Sequence, residues 1–126
     1  MIVLDTAALI YWTLNPDDLT KTARFEIDKS EKIIVSSISI WEIGLKSTRG
    51  RLKLGGTIQE YVQALEKVND LEIQAVESTV WIENLMLDWD HRDPADRTIV
   101  ATAKILDCPL ITSDRKIRDF YPKSVW

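Results

Sequence analysis

One cysteine, Cys108, and one histidine, His91, are all the thiol and imidazole this chain supplies. A lone cysteine excludes an internal disulfide, and the two residues together exclude a zinc site of His and Cys ligands within one chain. Ser-His-Asp and Cys-His chemistry would have to run through His91, and nothing in the sequence around it suggests such a constellation. Cys108, in "LDCPL", reads as a small buried apolar residue. Positive charge is not in excess either. With 16 Lys and Arg against 20 Asp and Glu, the net charge is -4, so nucleic acid cannot be gripped by bulk charge and any contact must use local basic patches. No apolar run approaches the roughly 18 residues of a membrane span. "MIVLDTAAL" meets Asp5 with no basic leader before it, so a cytoplasmic protein is expected. Internal repeats, low-complexity tracts and linkers are also missing.

What is present is 126 residues with 45% hydrophobic content, enough for one domain over residues 1–126 with a genuine core and too little for two. "MIVLD" is an apolar, β-branched run ending in a carboxylate, and "TAALIYW" continues it as a helix. "NPDDLT" is a turn, with Thr20 capping a helix through "KTARFEIDKSE", and "KIIVSS" is a second buried strand. Helical spacing resumes from Ser39 to near Gly50. Thr57 then caps a helix carrying Ile58, Tyr61, Val62, Leu65 and Val68. "LEIQAV" alternates as a strand, "ESTVWIENLM" is helical, and residues 93–106 form the strongest helix of the chain. "PLITSD" is a last buried strand and "RKIRDF" a short helix or turn. Strands alternating with helix pairs require crossover connections, so an α/β fold with a parallel sheet is expected, its ligand crevice beyond the carboxyl ends of the strands.

Four carboxylates point at that crevice. Asp5 ends the first strand, Asp114 follows the last, and Glu42 and Asp96 fall in the first turns of helices. Helix capping competes with ligation at each. "SIWE", Ser39 to Glu42, fits a capping box, and "DPAD" fits Asp93 as N-cap, Pro94 at the first helical position and Asp96 beside the helix dipole. Asp93 is expected to cap, Asp96 to cap and face the crevice together, and Glu42 to face the crevice while Ser39 caps alone. Asp5 and Asp114 are harder to explain structurally. Four carboxylates within a few ångströms would repel one another unless a cation neutralised them. Oxygen-only ligands suit Mg²⁺ or Mn²⁺, whose Lewis acidity serves phosphodiester hydrolysis.

Cations recur beside these acids. Lys46 and Arg49 follow Glu42 on one helical face, Arg51 and Lys53 lie in the next turn, Arg92 and Arg97 flank Asp93 and Asp96, and Arg115, Lys116 and Arg118 follow Asp114. Either these are solvated surface charges or they form a groove for a phosphate backbone. Of them, Lys46, Arg49, Arg97 and Arg115 are taken as substrate-binding candidates. Thr6, Ser37 and Thr112 lie at strand ends, where their hydroxyls would bond either metal-held water or the local backbone. Trp12, Trp41, Trp81, Trp89 and Trp126 read as core or interface anchors rather than platforms for stacked bases.

Together "IVLDTAAL", "VSSISIWEIGLKSTRGRLKL", "HRDPADRTIVATA" and "LITSD" resemble a PIN-domain ribonuclease, in particular the VapC-like toxins of prokaryotic toxin-antitoxin pairs. The ordered set carries the resemblance over nearly the whole chain, and no single fragment does. It implies a three-layer fold with a central, mainly parallel sheet of four to five strands flanked by helices. It places the family's acidic quartet on Asp5, Glu42, Asp96 and Asp114, with Asp93 in a frequently acidic neighbouring position. It further implies Mg²⁺- or Mn²⁺-dependent endonucleolytic cleavage of RNA, a homodimer, and inhibition by a cognate antitoxin. Ala7 departs from the pattern, since similar proteins commonly carry Asn, Ser or His there. The same residue weighs against a haloacid-dehalogenase-type phosphatase, whose strand end usually reads Asp-x-Asp. The rivals to the ribonuclease reading are a flap or single-strand DNA nuclease and a non-catalytic, protein-binding module whose acids are caps.

Overall fold

Ile2, Val3 and Leu4 form strand β1 and are all buried, which a strand achieves only with cover on both faces. In the computed structural model, which describes residues 1–126, β1 lies between β2 (Ile33–Ser36) and β4 (Leu110–Ile111). Strand β3 (Leu71–Gln74) pairs outside β2 and β5 (Ser124–Val125) outside β4, giving the order β3-β2-β1-β4-β5 with every pairing parallel. The expected α/β architecture is therefore present, with five strands. The two-residue β5 lies outside the pattern-based expectation because two residues carry no periodicity.

Alternation along the strands sorts the apolar side chains into two cores. Ile2, Leu4, Ile33 and Val35 join Leu9, Ile27, Ile43 and Leu65 from helices α1 (Thr6–Leu14), α2 (Lys21–Lys29), α3 (Ser37–Thr48) and α4 (Ile58–Glu66). On the other face, Val3, Ile34 and Leu110 pack with Val80, Ile99, Val100 and Ile117 from α5 (Ser78–Met86), α6 (Pro94–Leu106) and α7 (Arg115–Phe120). Helix, sheet and helix make three layers.

Local chemistry sets the helix ends. The Thr20 hydroxyl accepts from the amide of Ala23 to start α2, and Thr57 and Glu60 form a reciprocal capping box at α4. Asp107, with φ 50°, takes the left-handed conformation that stops α6. The start of α3 differs from expectation. Ser36 is its N-cap, its hydroxyl accepting from the amide of Ile38 at 3.3 Å, so the Ser39–Glu42 box does not form. Ser39 is buried inside the first turn and Glu42 falls in the second.

From β1 the chain builds outward to β3, then returns to β4 on the other flank. The β1/β4 boundary is thus a switch point, with a crevice at the carboxyl ends of the strands.

Candidate active site

Asp5 stands at that switch point. It terminates β1 and caps α1, its Oδ1 accepting from the amide of Ala8 at 2.7 Å, and it is only 4% exposed. Burial lifts its carboxyl from 3.8 to about 6; the Thr112 hydroxyl and Ala8 amide oppose the rise, and the charges of Asp96 and Asp114 add to it. Across the boundary, Asp114 caps α7 through an Oδ1 bond from the amide of Ile117 at 3.2 Å. Thr112 fixes the approach, its hydroxyl accepting from the Asp114 amide at 3.0 Å. The two acids without an evident structural role in the sequence thus both begin helices.

Glu42 reaches the site from the second turn of α3, where the Thr6 hydroxyl donates to its Oε1. Thr6 Oγ1 also lies 2.9 Å from the Ser39 hydroxyl, so the serine expected to cap instead helps hold the threonine that holds Glu42. Burial raises the Glu42 carboxyl, opposed by Thr6 and Lys46 and reinforced by Asp93 and Asp96. Ser37 is the first residue of α3 and takes no part in this hydroxyl chain, and the hydroxyl that caps α3 is that of Ser36.

Asp93 caps α6 as the "DPAD" pattern suggests, whereas Asp96, expected both to cap and to face the crevice, makes no capping bond. Asp93 Oδ1 accepts from the amides of Ala95 and Asp96 at 2.9 and 3.1 Å. Asp96, in the same first turn but free of capping, places Oδ2 2.7 Å from Nε2 of His91. Its carboxyl is also raised, first by burial, with His91 opposing and Asp93 and Asp114 adding. His91 is therefore a site residue that the sequence did not disclose. It lies five positions before Asp96 across a proline-containing turn, a separation with no fixed geometry.

Asp96 is the electrostatic centre of the group: its charge acts on Asp5 and Glu42, and Asp93 and Asp114 act on it. The expected tight cluster is looser in the structure, and no three carboxylate, imidazole or thiol groups converge on one ready-made metal position. The donor set is nevertheless oxygen-rich and mutually repelling, relieved in part by the His91 ring bonded to Asp96 and by Lys46 near Glu42. Such a set fits a hard divalent cation that keeps several of its own waters and takes one or two direct carboxylates. A depression of about 740 Å³ beside β3 and α4 contains none of these acids.

The flanking cations separate into two kinds. Lys46, Arg49 and Arg115 are exposed and pair with no carboxylate. Arg97, expected to bind substrate, is occupied otherwise. Its guanidinium donates to the carbonyls of Asn84 and Trp89, each at 2.6 Å, to those of His91 and Leu87 at 3.1 and 3.2 Å, and to Asn84 Oδ1 at 3.2 Å. All five N–H groups have partners, leaving none for a phosphate.

A PIN domain family model matches residues 2–122. Over 129 aligned residues the chain is 26% identical to Ribonuclease VapC22 of Mycobacterium tuberculosis, covering 99% of this chain and 98% of that protein. A chain of a toxin-antitoxin complex from Klebsiella pneumoniae shares the fold with a TM-score of 0.71 at 18% identity, covering 100% of this chain and 97% of that one. VapC20 of Mycobacterium tuberculosis, described as a sarcin-ricin loop cleaving toxin, aligns with a TM-score of 0.67 at 16% identity, covering 94% of each chain. No helix is long and apolar enough to cross a membrane. A sheet ordered about β1, acids at its switch point and a family match over almost its whole length make this chain a member of the PIN-domain family and a homologue of the VapC ribonuclease toxins.

Proposed function

We propose that this protein is a divalent-metal-dependent endoribonuclease and the toxin of a toxin-antitoxin pair. The observation that carries the reading is the placement of Asp5, Glu42, Asp96 and Asp114 at the carboxyl end of the sheet, where the charges of Asp96 and Asp114 raise the Asp5 carboxyl and that of Asp96 raises Glu42. Asp5, Glu42, Asp96 and Asp114 would hold Mg²⁺ or Mn²⁺ directly or through water, with Asp93 beside them. When bound, such an ion supplies Lewis-acid polarisation of a phosphodiester and of the water that attacks it.

The protein's own part is positional. Thr6 fixes the Glu42 carboxylate, His91 fixes that of Asp96, and backbone amides of α1 and α7 hold Asp5 and Asp114. Thr112 steadies both Asp5 and the turn into Asp114. Lys46, Arg49 and Arg115, free of ion pairs, would meet the phosphates of single-stranded RNA, so affinity should fall as salt rises.

The cognate antitoxin is supported by the relative found in a toxin-antitoxin complex. Its tail would cover the acids and exclude RNA. A homodimer would form through α5, where Trp81, Ile82, Leu85 and Met86 are exposed while the helix's one charged residue, Glu83, is tied to Lys104 of α6 at 3.0 Å. An outward stripe that is apolar and uncharged suits self-association about a two-fold axis.

The test is cleavage of a mixed tRNA and rRNA pool by wild type and Asp96→Asn, each with Mg²⁺ and with chelator, beside a matched single-stranded DNA pool. Cutting of RNA that needs both the metal and Asp96 is the expected result. Preferential cutting of DNA would transfer the site to a DNA nuclease. A folded wild type that neither cuts nor responds to metal titration would leave the acids as caps in a protein-binding module.

A further inference from the structure

Residues 87–93 form no regular element, yet they are held as firmly as one. Arg97 clamps the carbonyls of Leu87, Trp89 and His91. The Trp89 ring stacks on Phe120 with centroids 4.6 Å apart and planes 9° from parallel, and His91 lies against Trp89 at 4.7 Å. This stiff wall and Lys116 of α7 line a cleft of about 480 Å³ whose residues are Trp89, Asp90, His91, Arg92, Asp93 and Lys116.

The cleft opens beside the acids. His91 holds Asp96, and Asp93 caps the helix that carries it. Arg92 and Lys116 are exposed, and neither has a carboxylate partner. Two free cations on a rim of rigid aromatic rings match a ligand with a phosphate at one end and a planar ring at the other. The volume lies within the roughly 300–1,000 Å³ of small-ligand sites. A volume of this size suits a single nucleotide rather than a duplex.

Resting on the ribonuclease reading, we propose that this cleft is a subsite for one nucleotide of single-stranded RNA flanking the scissile phosphate. Arg92 and Lys116 hold its phosphate, and its base lies against the Trp89 and His91 rings. Because Arg97 fixes the wall before substrate arrives, the subsite needs no rearrangement to receive it.

Binding separates this proposal from cleavage. The probe is a fluorescein-labelled single-stranded RNA of about 12 nucleotides, followed by anisotropy on Asp5→Asn protein in Mg²⁺, with salt varied over about 50–200 mM. Adding Arg92→Ala and Lys116→Ala together should weaken binding roughly tenfold and reduce the log-log salt slope by about 0.7 for each phosphate released. Lys67→Ala, at the far end of α4, should change neither. Inorganic polyphosphate should displace the RNA poorly, since it offers no base to the rings. A double variant indistinguishable from its parent, in a protein that binds and cuts RNA, overturns the subsite alone. Displacement by polyphosphate as effective as by unlabelled RNA reduces the cleft to a phosphate site and overturns the nucleotide assignment. Absence of RNA binding by the parent, with a wild type that cuts nothing, overturns the ribonuclease reading and the subsite with it.

Discussion

Asp5 joins two demands in one carboxyl group. It starts α1 and, being buried among other acids, is costly to ionise. Below about pH 4 it is protonated in both folded and unfolded chains and contributes nothing to the pH dependence of stability. Between about pH 4 and 6 the unfolded chain releases the proton that the folded chain keeps, so stability falls as pH rises; above about 6 the full cost is present. Asp5→Asn keeps an oxygen for the Ala8 amide and removes the charge. In chelator near pH 7 it should stabilise the fold by up to about 3 kcal/mol, and near pH 4 the gain should vanish, as denaturant titrations at the two pH values will show. Mg²⁺ should stabilise wild type more than the variant, because the cation offsets the same repulsion.

Arg97 illustrates how far residue type misleads when partners are non-local. An arginine next to an acidic pair in the sequence resembles a phosphate ligand, but four backbone carbonyls between Asn84 and His91 turn inward and claim its fork. Arg97→Lys keeps the charge and loses the fork. It should cost about 2–4 kcal/mol and speed amide exchange in residues 87–93, while a substrate-binding arginine would lower RNA affinity and leave the melting temperature unchanged.

Among the elements, strands and strand-end acids were legible because an apolar run that stops at a carboxylate has few structural interpretations. β1 and its Asp5 are the clearest case, and "DPAD" at α6 the next, since Pro94 fixes the first helical position. The start of α3 was not legible. "SSIS" offers three serines as caps, and the choice of Ser36 depends on β2 running one residue into them and on Ser39 being needed beneath Thr6. That register moves Glu42 from the first turn to the second, where it cannot fold back to a cap and is instead held from α1. Thr6→Val, similar in shape and lacking the hydroxyl, should therefore lower kcat/KM for RNA by one to two orders of magnitude and cost about 1–3 kcal/mol by leaving the buried Ser39 hydroxyl unpaired, while Ser36→Ala should cost about 1 kcal/mol. His91 was equally hidden, its bond to Asp96 depending on the path that Arg97 imposes on the loop before α6.

At the scale of the whole molecule, an α5 that leaves Leu85 81% and Met86 70% exposed is incompletely covered by its own chain. Leu85→Glu should convert a dimer to a monomer in light scattering without shifting the far-ultraviolet spectrum, since this side chain is outside both cores. A protein already monomeric as wild type would remove the dimer from the reading.

The capping acids also bear on how such a protein would decay over evolutionary time. Asp93 and Asp114 each begin a helix, so a descendant released from cutting RNA would still be selected to keep them, simply in order to fold. Glu42 and Asp96 begin nothing, and their raised carboxyls burden the metal-free chain. These two would drift first. In the lineage of this protein, a retired copy would be recognised by a neutral residue at position 42 or 96 beside an intact Asp93 and Asp114.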